Sequence, residues 1–111
     1  MSSPIIVFGS INMDLVVYSD KQPAKGETIL GNSFDTFQGG KGANQAVAVS
    51  RLGIPVSLIG KVGTDVFGDE LLESLNSEHV DTSMLGRHEG PSGVAFIYVF
   101  EETSENQIIV I

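Results

Sequence analysis

A glycine-rich turn is the first part of the sequence whose residue types could do chemistry. It reads GGKGAN, with Gly39, Gly40 and Gly42 around Lys41 and with Asn44 in the first turn of the helix that follows. The first N–H groups of a helix carry partial positive charge, and glycines let them approach a ligand closely. The turn therefore predicts a binding site for oxygen atoms. Its spacing matches neither the P-loop nor the dinucleotide fingerprint. The alternative is a tight strand-to-helix turn with Lys41 in solvent.

A second polar pair lies near the N-terminus, in the segment GSINMD. Asn12 and Asp14 are two residues apart, so on a strand both side chains project to the same side. A carboxylate can accept hydrogen bonds from two neighbouring hydroxyls, and an amide supplies both a donor and an acceptor. The pair is suited to binding a polyol at the end of the first strand, where open α/β sheets bind their ligands. An Asx turn between two strands is the alternative that needs no ligand.

Short apolar runs predict the strands that position these residues. The runs lie at 4–8, 14–18, 28–38, 54–60, 82–85, 93–100 and 107–111. Residues 14–18 and 28–38 are expected to form an antiparallel pair, and the polar segment 101–106 is suited to a hairpin between the last two strands. The alternation of strand, helix and strand predicts an α/β fold with a parallel sheet and right-handed crossovers.

Two helices are predicted between these strands. The first, at 43–52, is apolar nearly all round, so we expect it to be covered and to anchor the glycine-rich turn in the core. Gly53 occupies the position of a helix-ending glycine. The second helix, at 66–77, follows the natural N-cap Asp65. Its apolar stripe consists of Phe67, Leu71, Leu72 and Leu75.

The composition narrows the classes of function. One small domain is the default for 111 residues, and 41% hydrophobic residues are typical of a soluble globular chain. The net charge of −8 repels nucleic acids and acidic membrane surfaces. No apolar run approaches the roughly 20 residues of a membrane span, and no signal-peptide pattern is present, so a cytoplasmic protein is expected. With no cysteine, and with His79 and His88 far from any ligand-like spacing, no metal site is expected.

The polar segments together resemble a known family. GSINMD, GGKGANQA and GKVGTDVFG look like the N-terminal third of the ribokinase-like (PfkB) carbohydrate kinases, and the resemblance covers essentially the whole chain. GGKGANQA together with INMD is closer to the ribokinase branch than to fructose or adenosine kinases. The resemblance implies the N-terminal part of a three-layer α/β/α, Rossmann-like fold with a small β-sheet lid. Residues 1–13 and 39–92 would belong to the core, and residues 14–38 and 93–111 would form the lid.

The resemblance also implies roles for individual residues. A ribose-like sugar would be held through its hydroxyl groups, with apolar contacts beneath it; the residues so implied are Asn12, Asp14, Gly39, Gly40, Lys41, Asn44, Ala95 and Ile108. The catalytic base, the ATP site and the Mg²⁺ and monovalent cation sites would lie in the C-terminal part of a full-length kinase. The chain by itself is then expected to contain no catalytic residue, to bind no cofactor and to be inactive. For Asp65 and Gly68, a helix cap and a close helix approach are sufficient explanations.

Two functions of other classes stay open. The chain could be a stand-alone sugar-binding or regulatory module, or an assembly protein whose lid strands pair between subunits. Lids of this family commonly form a dimer contact, so a homodimer through apolar lid residues is expected; these residues are Val94, Phe96, Tyr98 and Phe100. The chain stops at Ile111 inside an apolar strand, which is typical of a piece of a longer protein or of a partner in an assembly. Lys61 and Arg87 receive no role.

Overall fold

The computed structural model describes residues 4–111, which form seven strands and two helices. In chain order these are β1 (Ile5–Phe8), β2 (Asn12–Ser19), β3 (Ser33–Gly39), α1 (Lys41–Arg51), β4 (Val56–Gly63), α2 (Val66–Ser77), β5 (Leu85–His88), β6 (Gly93–Phe100) and β7 (Glu105–Val110). The chain divides into two compact units. The first unit runs up to Met13 and again from Gln38 to Gly93, and the second consists of Asp14–Phe37 and Val94–Ile111.

A three-stranded parallel sheet in the order β1-β4-β5 forms the centre of the first unit. The first half of β4 pairs with β1, with Val56 opposite Ile5, and its second half pairs with β5, with Gly60 opposite Leu85. Both helices contact β4. Since β4, α2 and β5 follow one another in sequence and their strands are parallel, the predicted α/β fold with a parallel sheet is confirmed.

Helix α2 has the predicted bounds. Its N-cap Asp65 accepts a hydrogen bond from the Gly68 N–H at 2.9 Å, which satisfies one of the N–H groups that a helix leaves unpaired at its start. Leu71 and Leu75 are fully buried, while Phe67 and Leu72 are half-buried. The predicted apolar stripe therefore faces the core along its centre.

Helix α1 differs from its prediction at the start and on its outer face. It begins at Lys41, two residues before the predicted Ala43, and ends at Arg51, with Gly53 at φ +79° confirming the helix-ending glycine. The expectation that the helix is covered all round is wrong for these residues: Ala46 is fully buried but Ala48 is exposed. An exposed alanine costs little because its apolar surface is small.

The second unit is built on a four-stranded sheet in the order β3-β2-β6-β7. The predicted neighbours β2 and β3 lie side by side, and β6 pairs with β7 in an antiparallel hairpin with Phe100 opposite Glu105. The hairpin turn spans only 101–104, so residues 105 and 106, predicted as linker, belong to β7. The strand signal missed them because Glu and Asn have low strand propensity, which pairing with β6 overrides.

Two other predicted strands begin too early in the sequence. The run at 82–85 is a turn that leads into β5, because the Asp81 carboxylate accepts from the Ser83 N–H at 2.9 Å and the Leu85 N–H donates to the Thr82 carbonyl. The run at 28–38 becomes a strand only from Ser33, and Leu30 in its first part is 95% exposed. In both places hydrophobic residues lie in the loop that precedes the strand. The sequence alone therefore does not show where the strand begins.

Of the helices that residues 4–111 form, neither is long and apolar enough to cross a membrane.

Candidate functional site

The N-terminal turn of α1 packs against the connection between β1 and β2, which consists of residues 9–11. The Lys41 N–H donates to Ser10 Oγ at 3.1 Å, and the Ala43 N–H donates to the Ser10 carbonyl oxygen at 3.1 Å. The next N–H, of Asn44, donates to the Gly40 carbonyl within the helix at 2.9 Å. Two N–H groups at the helix start therefore already bind a serine of the protein. These two N–H groups are therefore not available to a ligand.

Gly40 and Gly42 are required by the close contact between these two segments of backbone. Gly40 has φ +97°, and a Cβ there would lie 2.5 Å from the Ser10 carbonyl oxygen and 2.8 Å from the Ile11 Cα. A Cβ on Gly42 would lie 2.6 Å from the Gly9 carbonyl carbon. Both distances are shorter than any side chain tolerates. A tight strand-to-helix turn, the alternative considered for this stretch, thus accounts for both glycines.

The first unit contains five of the residues singled out in the sequence. Asn12 is the first residue of β2, two positions after Ser10, and is half-buried. Lys41 and Asn44 lie on the first turn of α1, and both are exposed. Ser10 joins the two segments through the hydrogen bonds given above. The residues brought near Ser10 along the chain or through those bonds are Asn12, Gly39, Gly40, Lys41 and Asn44.

The other three predicted residues belong to the second unit. Asp14 is the third residue of β2 and is half-buried. In the β6–β7 hairpin, Ala95 lies opposite Val110 and Ile97 opposite Ile108. Because side chains alternate along a strand, Ala95 and Ile108 share one face of this hairpin. Ala95 is only 4% exposed, whereas Ile108 is 56% exposed.

Asp65 is held by a hydrogen-bond network at the start of α2. Its carboxylate accepts from the Ser92 N–H at 2.9 Å and from the Ser92 hydroxyl at 2.7 Å, in addition to the Gly68 N–H. Ser92 Oγ in turn accepts from the Gly63 N–H at 2.9 Å. Burial tends to raise the pKa of Asp65, but the bonds from Ser92 and Gly68 outweigh it and hold this pKa below its ordinary value.

Arg87, which had no role in the sequence, supports the same region. Its Nε donates to the Gly63 carbonyl at 2.8 Å, and its guanidinium forms an ion pair with Asp69 at 2.8 Å. Arg87 thereby ties β5 to the end of β4 and to the first turn of α2. The structural explanation expected for Asp65 is confirmed, and it now includes Ser92, which no local pattern indicated.

Ser10 is the residue of the candidate site that sequence reasoning missed. A helix cap is sought immediately before the helix, and that position is Gly40, which has no side chain to donate or accept. The hydroxyl that takes the place of a cap belongs to Ser10, which lies 31 positions before Lys41. Such a contact depends on the fold, so the only sequence signal was the presence of a serine in GSINMD.

Residues 4–111 contain neither a cluster of metal ligands nor, at Lys41 and Ala43, helix-start N–H groups that are free for a phosphate. Within 4–111, no cluster of three or more His, Asp or Glu residues could hold a metal. At the start of α1, where phosphate oxygens often bind, the N–H groups of Lys41 and Ala43 are bonded to Ser10. We therefore derive no chemical step for ATP or a metal from these residues.

Comparison with known proteins agrees with the sequence resemblance. Residues 3–111 match the family model for pfkB family carbohydrate kinases. Ribokinase from Bacillus subtilis is 49% identical over 108 residues, which make up 96% of this chain and 36% of that protein. Deoxyribokinase from Salmonella typhi is 40% identical over 108 residues, 96% of this chain and 35% of that protein.

The fold agrees with that of solved ribokinases. The structure of Arabidopsis thaliana ribokinase complexed with ribose and ATP matches with a TM-score of 0.90 and 32% identity, over 100% of this chain and 36% of that chain. The present chain thus spans about a third of the length of the relatives it matches. The match over residues 3–111 agrees with the sequence segments and with the α/β fold. The chain therefore belongs to the pfkB family of carbohydrate kinases.

Proposed function

We propose that this chain supplies the sugar-binding and lid segment of an ATP-dependent ribokinase that phosphorylates the primary hydroxyl of ribose. One observation carries the proposal: Ser10 bonds to the N-terminal turn of α1, so residues 9–13 of the first polar segment and the glycine-rich turn lie together in the first unit. Asn12 follows Ser10 by two residues, and Lys41 and Asn44 lie on the bonded turn. This arrangement supports a shared binding surface.

The donors and acceptors of this surface suit a neutral polyol. The Asn12 and Asn44 amides each offer a donor and an acceptor, and Lys41 offers three N–H donors. In the second unit, Asp14 offers carboxylate acceptors for neighbouring hydroxyls. A phosphate would instead seek helix N–H groups, and those of Lys41 and Ala43 are engaged by Ser10. The contrast favours sugar hydroxyls over phosphate oxygens at this turn.

In the proposed enzyme, the second unit acts as the lid. Its β6–β7 hairpin carries Ala95 and Ile108 on one face, and of the two Ile108 is exposed enough to contact a sugar ring directly. Lid closure over a sugar excludes water and orders the reacting groups, and phosphoryl transfer depends mainly on such positioning and electrostatics. ATP, Mg²⁺, a monovalent cation and the base that deprotonates the attacking hydroxyl would come from parts of the enzyme outside residues 4–111. We therefore expect no turnover by the 111-residue chain, and a cytoplasmic location where ATP is available.

The lid also suggests a homodimer. Of the apolar residues predicted to mediate association, Val94, Phe96 and Tyr98 are half-buried and Phe100 is buried at 6% exposure. The two edge strands β3 and β7 instead expose Phe34, Phe37, Ile108, Ile109 and Val110. Exposed apolar edge strands pair readily with another chain. Light scattering should report a dimer, and a strict monomer would argue against this contact.

Titration of the protein with D-ribose tests the sugar site. Asp14→Asn keeps the shape of the side chain but removes a charged acceptor, and hydrogen bonds to charged groups are worth about 1.5–3 kcal/mol, so we expect binding to weaken about tenfold or more. The matched control is Asp35→Asn, which removes an exposed carboxylate on β3. Equal affinities for the two variants would contradict the role given to Asp14.

A comparison of sugars defines the substrate, since one relative is a deoxyribokinase. A site that binds neighbouring hydroxyls should prefer D-ribose to 2-deoxy-D-ribose, which lacks one of them. A preference for the deoxy sugar would contradict ribose as the preferred substrate. ATP-dependent phosphorylation of ribose by the 111-residue chain would refute the proposal that its catalytic groups lie elsewhere.

A further inference from the structure

Two oxygen atoms of Ser10 accept hydrogen bonds from the start of helix α1, which is distant from Ser10 in the sequence. Its hydroxyl accepts from the Lys41 N–H and its carbonyl accepts from the Ala43 N–H, each at 3.1 Å. Two N–H groups of the first helical turn are therefore fixed by one residue of the β1–β2 connection. Ser10 itself is exposed, so its side chain is not placed there by core packing.

The surrounding backbone leaves little freedom for this contact to shift. Gly40 and Gly42 bring the helix start so close to residues 9–11 that even a methyl group would collide. Asn12 begins β2 only two residues after Ser10. A displacement of the first turn of α1 away from the start of β2 would therefore break both bonds to Ser10.

We propose that Ser10 is a positioning residue for sugar binding. It holds Lys41 and Asn44 in register with Asn12 before the sugar arrives, so that less order has to be imposed on binding. The inference rests on the proposed function, because it assumes that these three side chains contact the sugar. It assigns to Ser10 no contact with the sugar itself.

The expected size of the effect follows from capping. Loss of a capping group typically changes an equilibrium between ordered and frayed helix ends about fivefold. Only molecules with an ordered turn bind the sugar well, so the apparent affinity falls in proportion to the fraction of such molecules. Ser10→Ala removes the hydroxyl and keeps the carbonyl, so it should speed amide exchange mainly at Lys41, by up to about fivefold. Ribose binding should weaken by the accompanying loss of ordered turn, at most about fivefold.

NMR on the 111-residue protein can measure both quantities. Amide exchange with water is compared for Ser10→Ala and Ser10→Thr, which restores the hydroxyl, and D-ribose affinity is measured by titration of the same samples. The Gly68 N–H, which Asp65 binds at the start of α2, is the internal reference. Ser77→Ala is the matched control, since it removes a hydroxyl that bonds to Ser74 in the last turn of α2.

The inference expects faster exchange at Lys41 and weaker ribose binding in Ser10→Ala, with recovery of both in Ser10→Thr and no change in Ser77→Ala. Unchanged exchange in Ser10→Ala would overturn the capping role. Faster exchange with an affinity that does not fall in step with the loss of ordered turn would leave Ser10 a purely structural cap and overturn the positioning role. Failure of the unaltered protein to bind ribose would instead overturn the proposed function, while the exchange rates would still report on the cap.

Discussion

Replacement of Gly40 by alanine is the sharpest test of how the glycine-rich turn is built. Gly40 has φ +97°, where residues other than glycine are strained by about 1–3 kcal/mol. The new Cβ would lie 2.5 Å from the Ser10 carbonyl oxygen, and both the oxygen and the neighbouring Ile11 Cα belong to the backbone. Overpacking of this kind adds about 1–3 kcal/mol. Together the two effects should lower the free energy of unfolding by about 2–6 kcal/mol.

Gly53→Ala is the matched control, since it separates strain from collision. Gly53 has φ +79°, yet no heavy atom of residues 4–111 beyond its chain neighbours lies within 4 Å of a Cβ built there. Its replacement should cost only about 1–2 kcal/mol of left-handed strain. Urea unfolding followed by circular dichroism should therefore give a midpoint for Gly40→Ala lower than that for Gly53→Ala by on the order of 1 M. Equal midpoints would refute the argument that the turn is glycine-rich because two backbone segments touch.

Two further predictions address the helix starts. Gly42→Ala should destabilise the protein despite the gain of about 1 kcal/mol in helix propensity, because its Cβ would lie 2.6 Å from the Gly9 carbonyl carbon; a raised urea midpoint would contradict this. Asp65 has a lowered pKa in the folded state, so the stability it contributes is present above its ordinary value of 3.8 and is lost as the pH falls through the folded value. Asp65→Asn should therefore flatten part of the loss of stability in acid, as measured by thermal unfolding between pH 7 and 3, and an unchanged acid dependence would exclude Asp65 as a contributor.

Elements with local signals could be predicted from the sequence. The start of α2 follows from Asp65, and its buried side follows from leucines spaced four apart at Leu71 and Leu75. The end of α1 follows from Gly53. Each of these signals depends on contacts within a few residues, where propensity and capping act directly.

Features that depend on distant contacts could not be predicted in the same way. Helix α1 starts two residues early because Ser10 supplies the partner for the Lys41 N–H, and Asp65 finds its second partner in Ser92. The glycines near Lys41 were interpreted as making room for a ligand, whereas Gly40 and Gly42 make room for residues 9–11. The polar residues of the candidate site were visible by type, but the serine that joins their segments was visible only in the fold.

The central claim is that the start of β2 and the first turn of α1 bind one sugar molecule. NMR titration of the labelled 111-residue protein with D-ribose tests it most directly. The account predicts that the amide signals of Asn12, Lys41 and Asn44 shift together along one saturable curve with a single Kd. Shifts with different midpoints for the two segments, or shifts confined to other regions such as the 101–104 turn, would contradict it.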